Sequence, residues 1–541
     1  MRFIFRNHLQ FIKPTVVMAV ILLLFGCKTP DHGYDLEAIY ADNPKPEDIS
    51  AVDRTLLPAT ELQEYPPLPE ALQGKVALSL EQAVLLALQR NRELRVQKYG
   101  PVITGTFEQI ERGAYDPELF ANLAYGEETA SETSRSTEEL FSVESEDIDA
   151  EAGLRQRLPL GTDLEASVGY VRSTSNRTPE QQEVRLGLSL TQSLLEGMGP
   201  AVNLVDIRQA QLETRASLYE LRGFVEALVA GVEIAYWRYV LAGEGIAIFE
   251  SSQDIARQQL DEVEKRIEVG VLSRNDAAAA RAEVARREQA LIESRSIHEE
   301  RRLRLLRLLY ATSEDQFRLT VEPVSPPRTS SPQITDLDDR LKLADRMRPD
   351  LNEAKLRNDQ QRLEIIRTHN GLLPKLDLFI DLGKTGYAES FSDAFKDLDE
   401  DNYELVAGIR FSSYLGNREA EARDLAARAS REQAEIAVQN LRNLVQLDVR
   451  LALNEIERAR QQIEASAVTR ILQEQTLQAE QERFSIGAST SLLVAQAQRD
   501  LLVSQLAEIE SIVAYRVALV SLYLAEGSLL QRRGIQLKSP G

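Results

Sequence analysis

The chain has 541 residues, with 63 Lys and Arg against 85 Asp and Glu and a formal net charge of −22. This acidic balance argues against a nucleic-acid-binding protein, because phosphates require a basic protein face. Of all residues, 6% are aromatic and 27% are charged, a composition that favours long helices over several globular cores.

Residues 1–26 have the pattern of an export signal. Basic residues precede an apolar run of about a dozen residues, which is too short to cross a bilayer as a helix. The run ends at Leu24-Phe25-Gly26-Cys27, which resembles the lipobox of bacterial lipoproteins, where the cysteine is acylated. Because Cys27 is the only cysteine, disulfides are excluded, and we predict that its thiol carries lipid. The alternative is a stray cysteine in an uncleaved signal.

An extended linker and a first structural repeat follow the signal. Residues 27–77 are polar and proline-rich, a composition that disfavours regular structure. The first repeat, residues 78–311, is predicted to contain a helical segment from Ser79 to Tyr115, strands within 117–192, a long helix over 200–268 and a return helix over 275–310.

A second repeat follows a linker at 312–336. Residues 337–530 are predicted to contain a helical segment over 337–372, strands within 374–411, a long helix over 417–485 and a return helix over 491–526, before a tail at 531–541. The motif Arg90-Asn91-Arg92-Glu93-Leu94 is matched 257 positions later by Met347-Arg348-Pro349-Asp350-Leu351. Self-similarity at this distance indicates a duplicated unit.

Short segments of alternating polarity occur in both halves, at 117–126, 162–171, 184–192, 375–382 and 403–411. Runs of about ten residues with this alternation are typical of outer-membrane β-barrels. The turn Pro159-Leu160-Gly161 indicates an extra hairpin in the first half. We interpret the acidic stretches 127–151 and 384–401 as solvated loops, with a role in selectivity as the alternative.

The long helices set the dimensions of the predicted fold. At 1.5 Å per residue, about seventy residues would extend about 100 Å, and two helical pieces of about 37 residues stacked end to end would cover nearly the same distance. One long helix is therefore expected beside two short ones in each half. Alanine-rich stretches at 276–282 and 420–429 allow close helix approach, as in coiled coils.

Several motifs together resemble the TolC family of outer-membrane efflux proteins, in its lipoprotein branch. They are the two glycine turns that end the long helices and the segments Leu78-Ser79-Leu80-Glu81-Gln82-Ala83, Asn91-Arg92-Glu93-Leu94 and Leu188-Ser189-Leu190-Thr191-Gln192-Ser193-Leu194-Leu195. The resemblance implies a mostly α fold with a membrane β-barrel part. Duplicated coiled-coil hairpins would form an α-barrel tunnel, and β-hairpins would contribute to a trimeric outer-membrane barrel. Arg92 and Ser193 depart from the proline that the family carries at these places.

The resemblance also implies location and partners. We expect a homotrimer that is lipid-anchored in the outer membrane with a long periplasmic extension, and that contacts outer-membrane lipid, a periplasmic adapter and an inner-membrane pump. Its role would be efflux or type I secretion. Twelve strands form the family's barrel, whereas the extra hairpin indicates more. The alternative is a periplasmic coiled-coil structural lipoprotein without a pore, against which the strand-like segments argue.

Two sets of candidate functional residues follow from the duplicated turns. The resemblance implies that the turns dock on the adapter, and glycine suits a chain that reverses at a helix end; the alternative is that they are simple helix caps. The docking residues are Val269, Gly270, Val271, Ser273, Ile486, Gly487, Ala488 and Thr490. A periplasmic gate of ion pairs is predicted at Arg266, Asp276, Glu482 and Arg483, with a plain solvated helix face as the alternative.

The sequence predicts no catalytic site. His298-Glu299-Glu300 lacks the second ligand of a zinc-binding helix, and Gly197-Met198-Gly199 has no basic residue beside it to favour phosphate. We therefore expect a protein that is not an enzyme, without metal or cofactor apart from the lipid on Cys27. Tyr236 and Trp237 are predicted to be packing residues.

Overall fold

The structure is a computed structural model that describes residues 75–133, 138, 140–310, 317–326, 336–398 and 402–536. The predicted export signal, Cys27, nearly all of the linker 27–77 and parts of the linker 312–336 and of the tail lie outside these residues. Among the described residues, no helix has the length and apolar character that a membrane span requires.

The first repeat runs from a short strand to the first return helix. Its elements are β1 (Lys75–Leu78), α1 (Leu80–Arg90), α2 (Arg92–Gln97), α3 (Tyr99–Gly113), β2 (Glu118–Thr133), β3 (Leu140–Leu158), β4 (Thr162–Ser175), β5 (Gln181–Ser193), α4 (Pro200–Asn203), α5 (Val205–Glu268) and α6 (Arg274–Leu309).

The second repeat has the same order with fewer strands. After β6 (Thr320–Pro323), its elements are α7 (Leu337–Met347), α8 (Pro349–Asn370), β7 (Lys375–Ala388), α9 (Phe391–Asp397), β8 (Tyr403–Ser412), α10 (Arg418–Ser485), α11 (Ser491–Ala525) and α12 (Leu529–Arg532). The expected mostly α fold with an antiparallel sheet is confirmed.

The described chain divides into two compact units. The sheet unit contains Ile110–Arg208 and Arg362–Arg428, and the helical unit contains the described residues up to Gln109, Gln209–Gln361 and those from Ala429 onward. Each repeat therefore contributes to both units.

The sheet unit contains a six-stranded antiparallel sheet in the order β2-β3-β4-β5-β7-β8. The first repeat contributes four of these strands and the second repeat two. The extra hairpin that the turn at residues 159–161 predicts is present, because β3 and β4 pair directly, with Leu158 opposite Thr162. The β5–β7 pair joins the two repeats.

The two faces of the sheet differ in chemistry, because side chains alternate along each strand. One row of directly opposed residues crosses the whole sheet as Leu119, Leu154, Ala166, Leu188, Leu382 and Leu405. The adjacent row, on the other face, is Glu118, Arg155, Glu165, Ser189, Asp381 and Val406. We call these the apolar face and the charged face. On the charged face Arg155 pairs with Glu118 at 2.8 Å, and Ser189 donates to Asp381 at 2.6 Å.

The interpretation of the acidic stretches as loops is wrong over much of their length. Strands β2 and β3 remain paired from Glu127 opposite Glu146 to Thr133 opposite Leu140, and residues 384–401 include the end of β7 and all of α9. Exposed carboxylates on a paired strand point into water, so they do not prevent pairing, and residues such as Phe141 and Val143 favour strand.

The helical unit shows the duplication in its backbone. A break separates α1 from α2 at Asn91 (φ −64°, ψ 124°) and α7 from α8 at Arg348 (φ −61°, ψ 117°). Asn91 also caps α2, because its side chain accepts from the Leu94 amide at 2.9 Å, whereas the second repeat places Pro349 at the first helical position. A side-chain cap and a proline thus produce the same break, which is how Arg92 is accommodated.

The main core of the helical unit surrounds the middle of α5. Tyr236 and Tyr239 are fully buried, and their hydroxyls donate to the carbonyls of Leu78 and Val321 at 3.0 and 2.6 Å. These carbonyls belong to β1 and β6, which form a two-stranded parallel sheet. The packing role predicted for Tyr236 and Trp237 is confirmed, since both lie in this core.

Buried charges tie the C-terminal end of the described chain to this core. The Arg533 guanidinium donates to buried Glu233 at 2.7 Å, and Arg222 donates to Glu226 at 3.2 Å and to the Gly527 carbonyl at 3.1 Å. Burial raises the pKa of Glu226 to about 7, although the neighbouring Arg222 acts in the opposite direction. Near neutral pH, this carboxyl is therefore only partly ionised.

Candidate functional site: the helix-turn-helix tips

Each long helix ends in the same glycine cap. Gly270 and Gly487 have φ values of +77° and +79°, a left-handed conformation that glycine adopts without the penalty that a Cβ brings. The Val271 amide donates to the Arg266 carbonyl at 2.8 Å and the Gly270 amide to the Ile267 carbonyl at 3.0 Å. This pair of hydrogen bonds is the Schellman motif.

The second tip repeats this pattern. The Ala488 amide donates to the Arg483 carbonyl at 2.8 Å and the Gly487 amide to the Phe484 carbonyl at 3.1 Å. Thr490 then caps α11, because its side chain accepts from the Leu493 amide. Ser273 directly precedes α6. The predicted docking residues therefore form two turns of the same backbone geometry.

Apolar side chains at both turns face solvent. Val269 is 74% exposed, Val271 69% and Ile486 79%, and Ala488 is also exposed. A Cβ added at either glycine would meet no neighbouring atom within 4 Å. Both turns therefore combine a rigid backbone with an open, partly apolar surface.

A small hydrophobic cluster lies behind the turns and joins the two helical hairpins, α5–α6 and α10–α11. We call it the tip cluster; its buried members are Val263, Ala280, Leu477, Phe484, Val494, Ala497 and Leu501. Because the cluster draws residues from all four helices, each turn is held by the neighbouring hairpin as well as by its own.

Arg266 and Arg483 occupy equivalent cap positions but make different contacts. Arg266 donates to the Phe484 carbonyl at 2.9 Å, lies over the Phe484 ring at 4.5 Å and pairs with Glu262 at 2.6 Å. Arg483 pairs with Glu480 on its own helix at 2.9 Å. The predicted gate residue Arg266 therefore links the two hairpins, whereas the described contact of Arg483 stays within one helix.

The remaining predicted gate residues are not brought into one described cluster. Glu482 accepts from Gln478 on its own helix at 3.3 Å, and the Asp276 side chain lies outside the described part of the structure. An inter-helix ion pair that was not predicted from the sequence joins Arg281 of α6 to Glu264 of α5 at 2.7 Å. Phe484 was also not predicted as a site residue. Aligning the two tips places this aromatic residue at the position of Ile267, and this difference could have indicated it.

Duplicated long-helix hairpins, together with an antiparallel sheet that has one apolar and one charged face, define an outer-membrane channel protein. The family model "Outer membrane efflux protein" matches residues 147–309 and 341–528. The chain therefore belongs to the outer membrane efflux protein family, a family of transport proteins, and is an outer-membrane channel for efflux. Nothing supports the alternative of a structural lipoprotein without a pore.

Solved structures of outer-membrane channels have the same fold. The channel OprN matches with a TM-score of 0.62 and 18% identity, covering 83% of this chain and 90% of OprN. CmeC of Campylobacter jejuni matches with a TM-score of 0.60 and 15% identity, covering 83% of this chain and 86% of CmeC. MtrE of Neisseria gonorrhoeae matches with a TM-score of 0.59 and 17% identity, covering 88% of this chain and 98% of MtrE. No curated protein sequence matches significantly.

The two arginines provide a matched test of the tip geometry. Replacing Arg266 with Ala removes a hydrogen bond and a cation–π contact together worth about 1–2 kcal/mol, so amide hydrogen exchange in residues 260–272 and 480–490 should accelerate about tenfold. Arg483→Ala should change these rates less than about twofold, because exposed pairs contribute about 0–1 kcal/mol. Equal acceleration in both variants would contradict the asymmetry.

Proposed function

We propose that three copies of this chain form a closed channel-tunnel that receives substrates from a periplasmic adapter and an inner-membrane pump, for efflux or type I secretion. The observation that carries this proposal is the order of helices in the helical unit, which leaves complementary faces free at its two ends. The family resemblance supplies the number three.

The contacts of the helical unit define a linear order. Thr104 of α3 contacts Ser217 of α5 at 2.8 Å. On another side of α5, Gln360 of α8 donates to the Gln209 carbonyl at 3.1 Å. Arg442 of α10 in turn pairs with Asp345 of α7 at 2.7 Å. The order is therefore α3, α5, α7–α8, α10.

The helices at the two ends of this order each carry an exposed apolar stripe. On α2 and α3 the stripe consists of Val96, Tyr99, Ile103 and Phe107, and on α10 it consists of Ile436, Leu444, Leu447 and Leu451. Both have the three- and four-residue spacing of one helix face. Apolar stripes of this length favour a protein partner over water, and a second copy of the chain offers the complementary one.

The duplication supplies the register of this contact. A Cβ added to Gly223 of α5 would lie 3.5 Å from the Cβ of Pro349 at the start of α8. The two tips lie 217 residues apart, so the position equivalent to Gly223 is Asn440 on α10. The first helices of the two repeats lie 257 residues apart, so the position equivalent to Pro349 is Arg92 on α2. Both are exposed and continue the two stripes. Asn440 of one copy should therefore meet Arg92 of the next.

The sheet supports the same arrangement. Strands β2 and β8 are the edges of the six-stranded sheet, and open edges carry unpaired backbone groups that lipid cannot satisfy. The strand directions alternate across the sheet, so β8 of one copy would run antiparallel to β2 of the next. Head-to-tail contacts form a ring when the rotation between copies closes, and a closed ring of three sheets would give one barrel with eighteen strands.

A disulfide tests the register between copies. The double variant Arg92→Cys, Asn440→Cys should form intermolecular disulfides on mild oxidation, because the equivalent Cβ atoms within the chain lie at a distance that a disulfide accepts. Denaturing electrophoresis without reductant should show a ladder that ends at three chains. The control Arg92→Cys, Gln433→Cys moves the second thiol about 10 Å along the helix and should stay monomeric. A crosslinked control, or an uncrosslinked test pair, would contradict the register.

The tips are proposed to bind the adapter through their exposed apolar side chains. The triple variant Val269→Asp, Val271→Asp, Ile486→Asp retains both glycine caps but charges this surface, so export should fall to that of a strain without the channel while the assembly persists. Ile292→Asp, at a position on α6 that is 65% exposed, serves as the control and should export normally. Drug accumulation in cells measures both variants, and normal export by the triple variant would exclude docking through the tips.

We also propose that Cys27 is the lipid attachment site, since it is the only cysteine and follows the signal-like segment. The N-terminal peptide of the protein extracted from membranes should carry acyl chains on Cys27 by mass spectrometry. A Cys27→Ser variant should lack this mass, and an unmodified Cys27 in the native protein would refute the proposal.

A further inference from the structure

A short helix is built onto the apolar face of the sheet. Ala394 and Leu398, in and directly after α9, are buried against Val184 of β5, with Tyr170 and Ala388 packed around them. In the sheet register Val184 lies between Tyr170 and Gly386. A Cβ at Gly386 would lie 2.0 Å from the Ala394 carbonyl oxygen, so the close approach of α9 depends on this glycine.

Polar contacts fix α9 at both ends. The Tyr387 amide donates to Asp397 at 2.9 Å, and the Ser390 side chain caps the first turn by accepting from the Asp393 amide. Tyr170 and Phe391 meet edge to face with ring centroids 5.4 Å apart. The helix therefore has a defined position on the sheet, although it contains only seven residues.

Two phenylalanines of α9 remain more than half exposed in this position. Phe391 and Phe395 are 55% and 56% exposed, lie four residues apart on one side of α9 and have ring centroids 6.4 Å apart. Two neighbouring exposed aromatic rings on one side of a helix form an apolar patch that suits an apolar partner.

The border of the apolar face suggests that partner. Tyr125 and Tyr403, both exposed, lie on the same face within two residue rows of the Tyr170–Val184–Gly386 row. Two residue rows beyond Tyr125, and therefore on the same face, Glu127 lies opposite Glu146, so the apolar band ends there. Aromatic residues at the border of an apolar band are typical of the level where acyl chains meet lipid headgroups.

We infer that α9 is an interfacial lipid anchor, in which Phe391 and Phe395 insert at the acyl–headgroup boundary while Ala394 holds the helix to the sheet. The inference rests on the proposed function only in placing the apolar face of the sheet in the membrane. Such an anchor fixes the depth at which the sheet sits in the bilayer, because moving it in either direction places the two rings in headgroups or displaces the acidic row towards lipid.

Depth-dependent quenching tests the anchor in the full-length protein. Phe395→Trp would be reconstituted in phosphatidylcholine vesicles whose acyl chains carry bromine at carbons 6 and 7 or at carbons 11 and 12, with the native protein giving the constant Trp237 emission to subtract. We expect a larger loss of emission with the shallow bromines than with the deep ones. Phe391→Trp is a second reporter and should behave in the same way.

Two further tryptophans separate the outcomes. Leu188→Trp, in the middle of the apolar face, should be quenched more by the deep bromines, and Phe120→Trp, on the charged face, should be quenched little by either lipid. If Leu188→Trp is quenched and both α9 reporters are not, the anchor is wrong while the membrane placement of the sheet stands. If Leu188→Trp is also unquenched, the placement and the anchor are both wrong.

Discussion

The two long helices occupy equivalent places in the two repeats but have unequal surroundings, and we propose that this inequality determines how copies of the chain assemble. In the described helical unit α5 contacts α3 and α8, whereas α10 contacts α7 and leaves Ile436 and Leu447 exposed. Burying apolar surface contributes roughly 25 cal/mol per Å², so each exposed stripe favours association. A duplicated chain thus carries within itself the pattern of the contact that its copies should make with one another.

The same reasoning extends to the sheet. Charged side chains on its charged face form ion pairs with one another, such as Arg155–Glu118 and Arg185–Glu404. Its apolar face is suited to lipid, and its edge strands β2 and β8 need further strands to pair their backbone groups. An outer-membrane channel meets both needs. The family assignment and the physical requirements of the described surfaces therefore agree on the environment in which this fold is stable.

Much of the fold is predictable because long periodic patterns and glycine turns are strong signals. The predicted long helix over 417–485 is observed as Arg418–Ser485, and both tip glycines have the expected left-handed conformation.

The extent of β2 and β3 was missed because carboxylates obscure the alternation along an exposed strand. Helix α9 was missed because seven residues are too few for a periodic signal and its position depends on Gly386. The unequal roles of Arg266 and Arg483 arise from Phe484, which lies distant in sequence from the first tip and close to it in space.

We propose that copies of this chain close into one ring through α10 and α2 and through β8 and β2. Single-particle imaging of the detergent-extracted protein tests it most directly. We expect threefold symmetry, with eighteen strands from three six-stranded sheets and a hollow helical extension. A monomer, a solid rod or a ring whose sheets do not join would contradict it.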